Sequence, residues 1–167
     1  MERLEQRVAD LERRLAALES ADRPAPRPGE GDFWALEGLK EQLAQMRAAD
    51  GGVLFTGAVR LPAGERYEWQ HGALTEGLMD ADWAASAEVF AALGHPVRLR
   101  LLREVLGGRR TAAELAELDE VGTTGQIYHH LRQLTGAGWL HTTGRGRHEV
   151  PPGRVVPLLV VLSAARG

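Results

Sequence analysis

The chain has 167 residues, of which 44% are hydrophobic, and a formal net charge of −3 at pH 7; this composition is sufficient for a packed core. The absence of cysteine excludes disulfides, thiolate metal sites and a cysteine nucleophile. The first residues contain no continuous apolar run, and the apolar stretch 155–165 is too short to cross a bilayer, so we expect no signal peptide, no membrane span and a cytoplasmic location.

Residues 1–20 have the apolar spacing of a coiled-coil helix. Apolar residues recur at intervals of 3, 4, 3, 4 and 3 from Met1 to Leu18, with Glu and Arg between them. A run this short is marginal alone, so it either assists another dimer interface or packs on its own chain, and we favour self-association. Three prolines and two glycines in residues 21–31 then predict an extended linker.

The segment 32–82 begins with a predicted helix. Asp32 is a suitable N-cap for a helix that runs to about residue 49, and Gly51 and Gly52 are expected to end it. Four apolar residues repeat along it at intervals of 3, 4 and 3: Leu36, Leu39, Leu43 and Met46.

A β-hairpin is predicted next. Residues 53–61 and 66–70 are rich in strand-forming side chains, and residues 62–65 between them have the composition of a turn. Two strands are hardly stable alone, so the hairpin must pack on a helix or on a second copy of the chain. Residues 73–82 predict a loop or a short helix.

The aromatic residues of this hairpin have two interpretations. They form plain core with Phe33 and Trp34, which we favour, or they line a small-ligand pocket or a partner-docking surface. The residues concerned are Phe55, Tyr67 and Trp69.

After Trp83 the signals become regular. A helix is predicted over residues 84–93, ending at Gly94, with an apolar face formed by Val89, Phe90 and Leu93. Pro96 favours the first turn of a second helix, which runs to Leu106. A capping box, Thr111 with Glu114, opens a third helix.

A turn at Val121 and Gly122 leads to a fourth helix, predicted over residues 124–137. Residues 139–143 and 147–150 then predict a hairpin. The order of helix, helix, helix, turn, helix and hairpin is that of a winged helix-turn-helix domain, which we place at residues 83–167. The predicted fold class is therefore mainly α with small β-hairpins, α+β, in which the helix after the turn enters the major groove of DNA.

The fourth helix has the two faces that a recognition helix needs. Ile127, Leu131 and Leu134 form a stripe expected to be buried. On the other face, a Gln side chain can form two hydrogen bonds to adenine and an Arg side chain two to guanine, while a glycine lets the helix backbone approach the DNA. At the start of the helix, Thr123 and Thr124 can donate hydrogen bonds to a phosphate. An ordinary solvated helix face is the alternative interpretation. The opposite face holds Gly125, Gln126, His129, Arg132 and Gln133.

The hairpin tip carries a second cluster of cationic side chains. Arg145 and Arg147 flank a glycine, and His148 follows. Arginine on a hairpin tip is well placed for phosphates or for the narrow minor groove, although such a tip also suits solvated charge in any protein. His141 and His148 could face each other across the hairpin, but two ligands make a poor zinc site, so we expect no metal here.

Charge is distributed unevenly along the chain. Residues 1–83 hold 10 basic and 16 acidic side chains, whereas residues 84–167 hold 10 arginines against 7 acids. From residue 121 onward five arginines are accompanied by a single acid, Glu149. This asymmetry favours a polyanionic partner for the second half, such as double-stranded DNA.

Three stretches of the second half resemble the ArsR family of transcriptional regulators. Residues 93–108 (LGHPVRLRLLREVLGG) are similar to its second helix, residues 111–140, including IYHHLRQLTGAGWL, to its helix-turn-helix, and residues 141–150 (HTTGRGRHEV) to its wing. The resemblance implies a cytoplasmic, nucleoid-associated bacterial repressor that is an obligate dimer and is released by an inducer. It implies recognition positions at Thr124, Gln126, Tyr128, His129 and Arg132. His130 lies beside the predicted buried stripe, which favours a structural role for it.

The chain also departs from this family. Its metal sensors use cysteines in the third helix or Asp, His and Glu in the last helix, whereas this chain has no cysteine and its last helix reads VVPLLVVLSAAR. We therefore expect no metal cofactor, and the inducing molecule or protein is left open.

The last helix predicts a homodimer. It is apolar on every side, and a helix lying on the surface of a monomer could not expose all of its faces. The interface residues expected on this basis are Leu158, Leu159, Val161 and Leu162.

Two other function classes compete with DNA binding. An enzyme is the weakest, because the sequence has no phosphate-binding loop and its serines, Ser20, Ser86 and Ser163, have no histidine pattern near them. A winged helix that binds only proteins is the stronger alternative, but it would not need arginines at the wing tip or a polar set on the fourth helix.

Overall fold

The computed structural model describes residues 33–119 and 121–166. The predicted coiled coil and linker therefore lie outside the described residues. The chain divides into two compact units, Met1–Gln42 and Leu43–Gly167. No described helix has both the length and the apolar character needed to cross a membrane.

Helix α1, Trp34–Met46, is the first described element. It ends three residues earlier than predicted, because Arg47 adopts a positive φ of 55° and closes the helix before the glycines. The amide of Ala48 donates to the carbonyl of Leu43 at 3.0 Å and that of Arg47 to Ala44 at 3.1 Å, which is the Schellman pattern. Phe33 and Trp34 are 65% and 70% exposed, so neither is a buried core residue.

The predicted hairpin is confirmed. Strand β1, Gly52–Arg60, pairs antiparallel with β2, Arg66–Leu74, in a register that joins Gly57 to Trp69. Strand β2 continues four residues further than predicted, since pairing with β1 runs to its start at Gly52. A short helix, α2, Thr75–Met79, follows as the sequence allowed.

The remaining elements form an α+β winged helix, which confirms the predicted fold class. A turn of 3₁₀ helix, Trp83–Ser86, precedes five helices, of which the last follows a two-stranded wing. In chain order these are α3, Ala87–Leu93; α4, Pro96–Leu106; α5, Ala112–Ala116; α6, Thr124–Gly136; β3, His141–Thr143; β4, Arg147–Glu149; and the last helix, α7, Pro152–Ala164.

One hydrophobic core holds the winged helix together. Its most enclosed side chains come from α4, α5, α6 and α7 and are Leu101, Leu115, Ile127, Leu134, Val155 and Leu158. Phe90 of α3 was expected to join them, but it is 59% exposed and only Leu93 of the predicted face is buried, with Val89 half-buried against the core.

The hairpin packs on the last helix. A Cβ atom added to Gly57 would lie 2.6 Å from Cγ1 of Val156, and one added to Gly153 would lie 3.3 Å from the Trp69 ring, so glycines on both elements permit close approach. The hairpin therefore covers one of the α7 faces that the sequence left for a second copy of the chain.

Candidate nucleic-acid interface

The turn before α6 fixes where this helix begins. Gly122 has a φ of 93°, a conformation that disfavours any side chain. Thr123 is the N-cap: its hydroxyl accepts from the amide of Gln126 at 3.4 Å, and Oε1 of Gln126 accepts from the amide of Thr123 at 2.8 Å. Gln126, predicted to read a base, thus also closes a capping box at the helix start.

The two predicted faces of α6 are present. Ile127, Leu131 and Leu134 are fully buried, which confirms the predicted stripe. Gly125, His129 and Arg132 are exposed and follow one another at i, i+4 and i+7, so they form a line along the outer face. The other exposed residues of the predicted site on this helix and its cap are Thr123, Thr124, Gln126, Tyr128 and Gln133.

Helix α5 begins with a strong cap. Thr111 and Glu114 form the predicted capping box, and Oε2 of Glu114 accepts from the amides of Thr111 at 2.8 Å and Arg110 at 3.0 Å. These hydrogen bonds from the Thr111 backbone and hydroxyl and from the Arg110 backbone lower the pKa of Glu114, so it stays ionised well below neutral pH.

The wing is short and its tip carries arginine. Strands β3 and β4 pair Thr143 with Arg147, and Arg147 also bridges to Thr111, which ties the wing to the helix-turn-helix. Arg147 is exposed, and the backbone of Arg145 lies in the 3₁₀ tip, Gly144–Gly146. Arg147 is therefore an exposed arginine beside the wing tip, where the sequence predicts phosphate contacts.

His148 differs from its predicted role beside these arginines. It is half-buried, its amide donates to the carbonyl of Arg110 at 2.7 Å, and burial lowers its pKa. The ring is therefore neutral near pH 7 and adds no charge to the wing. The register pairs His148 with Thr142 and His141 with Glu149, so the two histidines lie on opposite faces of the wing and do not form a ligand pair.

A triad of charged side chains connects the hairpin to the wing. Arg110 is 17% exposed; its guanidinium pairs with Glu65 in the β1–β2 turn and, through Nη1 at 3.1 Å, with Oε1 of Glu149 on β4. The hydrogen bond to Glu65 is the main cause that raises the pKa of Arg110. Sequence reasoning missed this triad because its members lie 39 and 45 residues apart and no local motif marks them.

The ring of His130, a residue of α6, lies beside the start of α4. Its ring centroid is 4.6 Å from that of His95, whose Nδ1 accepts from the amide of Val97 as the N-cap of α4. Burial, then the charges of His95, Arg98 and His129, lower the pKa of His130, so it is neutral near pH 7. Among the residues that the structure describes, no group of three or more His, Asp or Glu side chains could hold a metal ion.

The four residues predicted to form a dimer interface differ in burial. Leu158 is fully buried in the core of its own chain, so the prediction for this residue is wrong. Leu159 and Leu162 are half-buried and line a groove against α4. Val161 is half-buried on another side of α7.

Comparison with known proteins agrees with this geometry. A family model described as a helix-turn-helix domain matches residues 93–142, from the end of α3 to the first residues of the wing. No curated protein and no solved structure matches the chain. The match covers less than a third of the 167 residues. It shows that the second half of the chain contains a helix-turn-helix domain of the kind found in DNA-binding regulators.

Proposed function

We propose that the chain is a sequence-specific transcriptional regulator of the ArsR type that binds double-stranded DNA as a homodimer and represses transcription. The observation that carries this proposal is the outer face of α6, where Gly125, His129 and Arg132 follow one another along an exposed line directly after a helix-turn-helix turn. Arg132 would reach the O6 and N7 acceptors of guanine, and Gly125 would allow the backbone to approach the groove floor.

The wing supplies the second contact in this proposal. Arg147 is exposed beside the tip, and its strand is anchored to α5 through Thr111. Arg145 and Arg147 would contact phosphates, which position the protein without reading sequence. Gln126 has a dual role, because its side-chain carbonyl is engaged in the cap while its amide nitrogen can still donate.

Arg132→Ala is expected to weaken specific operator binding by about 1–3 kcal/mol, or about 5- to 150-fold, because one bidentate base contact is lost. The unfolding free energy should not change, since Arg132 is exposed. The operator is first selected from random duplexes, and affinity is then measured by fluorescence anisotropy. Arg60→Ala, an exposed arginine on the hairpin, is the matched control.

Equal operator affinity for Arg132→Ala and Arg60→Ala would contradict the assignment of α6 as the recognition helix.

Gln126→Ala is a less selective test of base recognition than the sequence suggested. It removes half of the capping box and so is expected to lower stability by about 0.5–1 kcal/mol as well as affinity.

The dimer is proposed to form through α3 and one face of α7. Phe90 is exposed on α3, and the indole of Trp139 donates to the carbonyl of the neighbouring Val89 at 2.9 Å. The guanidinium of Arg154 lies 5.0 Å from the centroid of that indole. Val161 follows Arg154 by seven residues, two helical turns, and thus lies on the same side of α7. We place Phe90 and Val161 on this proposed dimer surface.

A second copy of the chain suits this surface because a helix-turn-helix regulator reads two half-sites about 34 Å apart with two recognition helices related by a dyad. The coiled-coil segment predicted at residues 1–20 would add to this self-association. The domain boundaries that we propose are 1–20, 21–31, 32–82 and 83–167. The hairpin of the 32–82 segment serves as a cover for α7.

A further inference from the structure

A groove of about 740 Å³ lies between α4, α7 and the turn of the β1–β2 hairpin. We propose that it binds an amphipathic carboxylate, an unbranched fatty acid of medium chain length. Its volume falls in the range of about 300–1,000 Å³ that is typical of small-molecule sites. Its apolar lining includes Leu61, Leu99, Leu102, Leu106, Leu159 and Leu162.

The charged residues of the groove select the ligand class. Arg103 on α4 and Arg166 beyond the end of α7 both line the groove and are exposed. The single acidic side chain that the lining includes, Glu104, lies 3.7 Å from Arg109, which offsets its charge. An apolar wall with guanidinium groups at its edge complements an alkyl chain that ends in a carboxylate, since arginine binds carboxylates with two parallel hydrogen bonds.

The groove also adjoins the Arg110 triad. Leu61 lines the groove on one side and, on the other, a small cavity shared with Glu65, Arg110 and Glu149. The amide of Leu61 donates to the carbonyl of Glu65 at 2.9 Å, so a hydrogen bond links the groove wall to the triad residue. A ligand that displaces Leu61 would act on the ion pairs that hold the wing strand, which makes the groove a suitable effector site for the regulator proposed above.

The test is isothermal titration of sodium decanoate into the full-length protein, with decanol as the uncharged probe of equal chain length. Saturable decanoate binding below about 1 mM, with decanol at least tenfold weaker, is expected. Absence of saturable decanoate binding, or equal affinity for both probes, would overturn the proposal. The measurement needs no DNA, so its failure is distinguishable from failure of the proposed regulator function.

Two variants locate the site. Arg103→Gln should weaken decanoate binding about tenfold or more, because the carboxylate of decanoate loses a hydrogen bond to a charged guanidinium. Arg60→Gln, which changes an exposed arginine outside the groove, should have no effect on decanoate affinity. Leu99→Trp should abolish binding by filling the groove, with folding checked by circular dichroism. Unchanged decanoate affinity in Arg103→Gln would contradict the proposed site whether or not Leu99→Trp folds.

Discussion

Arg110→Ala is expected to lower the unfolding free energy by about 2 kcal/mol. The substitution leaves Glu65 and Glu149 side by side without their shared cation. Removing one partner of a fully buried pair costs about 3–5 kcal/mol and an exposed pair is worth about 0.2–1 kcal/mol. We take a value between these limits because the arginine is 17% exposed and the two carboxylates are 33% and 32% exposed.

Thermal unfolding measures this effect, with an expected decrease in Tm of about 4–8 °C. Arg109→Ala is the control: Arg109 is the adjacent residue, is 53% exposed and lies 3.7 Å from Glu104, so its loss should cost less than about 1 kcal/mol. In a double-mutant cycle, Glu65→Ala should lower the unfolding free energy less in the Arg110→Ala variant than in the unchanged protein. Equal Tm values for Arg110→Ala and Arg109→Ala would show that the triad does not stabilise the fold.

Phe90→Asp is expected to raise the dimer dissociation constant more than 100-fold. Burial of one phenylalanine is worth about 1.5–3 kcal/mol, and a twofold axis makes each substitution count twice, so the loss is about 3 kcal/mol or more. The fold should be retained, since Phe90 is 59% exposed in the single chain. Sedimentation velocity over a concentration series measures the constant.

Met79→Asp is the matched control for this substitution. Met79 is 64% exposed on α2 and lies outside the proposed surface, so the variant should dimerise like the unchanged protein. A dissociation constant that is the same for Phe90→Asp and Met79→Asp would exclude α3 from the dimer contact. Loss of operator affinity in parallel with loss of the dimer is also expected for Phe90→Asp, because two half-sites must be read together.

The local features of the winged helix could be predicted from sequence because each has a short-range signal. The spacing of Ile127, Leu131 and Leu134 defines a helical face, and the pair Thr111 and Glu114 is a capping-box motif. The pair Thr123 and Gln126 has the same spacing, so the capping role of Gln126 could have been recognised from the sequence as well.

Long-range features could not be predicted in this way. The contact of Gly57 with Val156 joins residues about 100 positions apart, and nothing in the local pattern of either segment indicates the other. The same holds for Arg110 and Glu65. Burial of Leu158 followed from where α7 packs, whereas helical periodicity alone showed only that all of its faces are apolar.

The salt dependence of duplex binding tests the central claim most directly, namely that α6 and the wing bind DNA. Affinity for a duplex of about 30 base pairs is measured between about 50 and 200 mM salt, where each phosphate contact contributes about −0.9 to the logarithmic slope. For the unchanged protein we predict that affinity falls steeply with salt concentration. For the double variant Arg145→Ala with Arg147→Ala, we predict that the logarithmic slope is flatter by about one to two units per wing, equally on all duplex sequences. A protein that binds no duplex, or a slope that the wing substitutions leave unaltered, would contradict this claim.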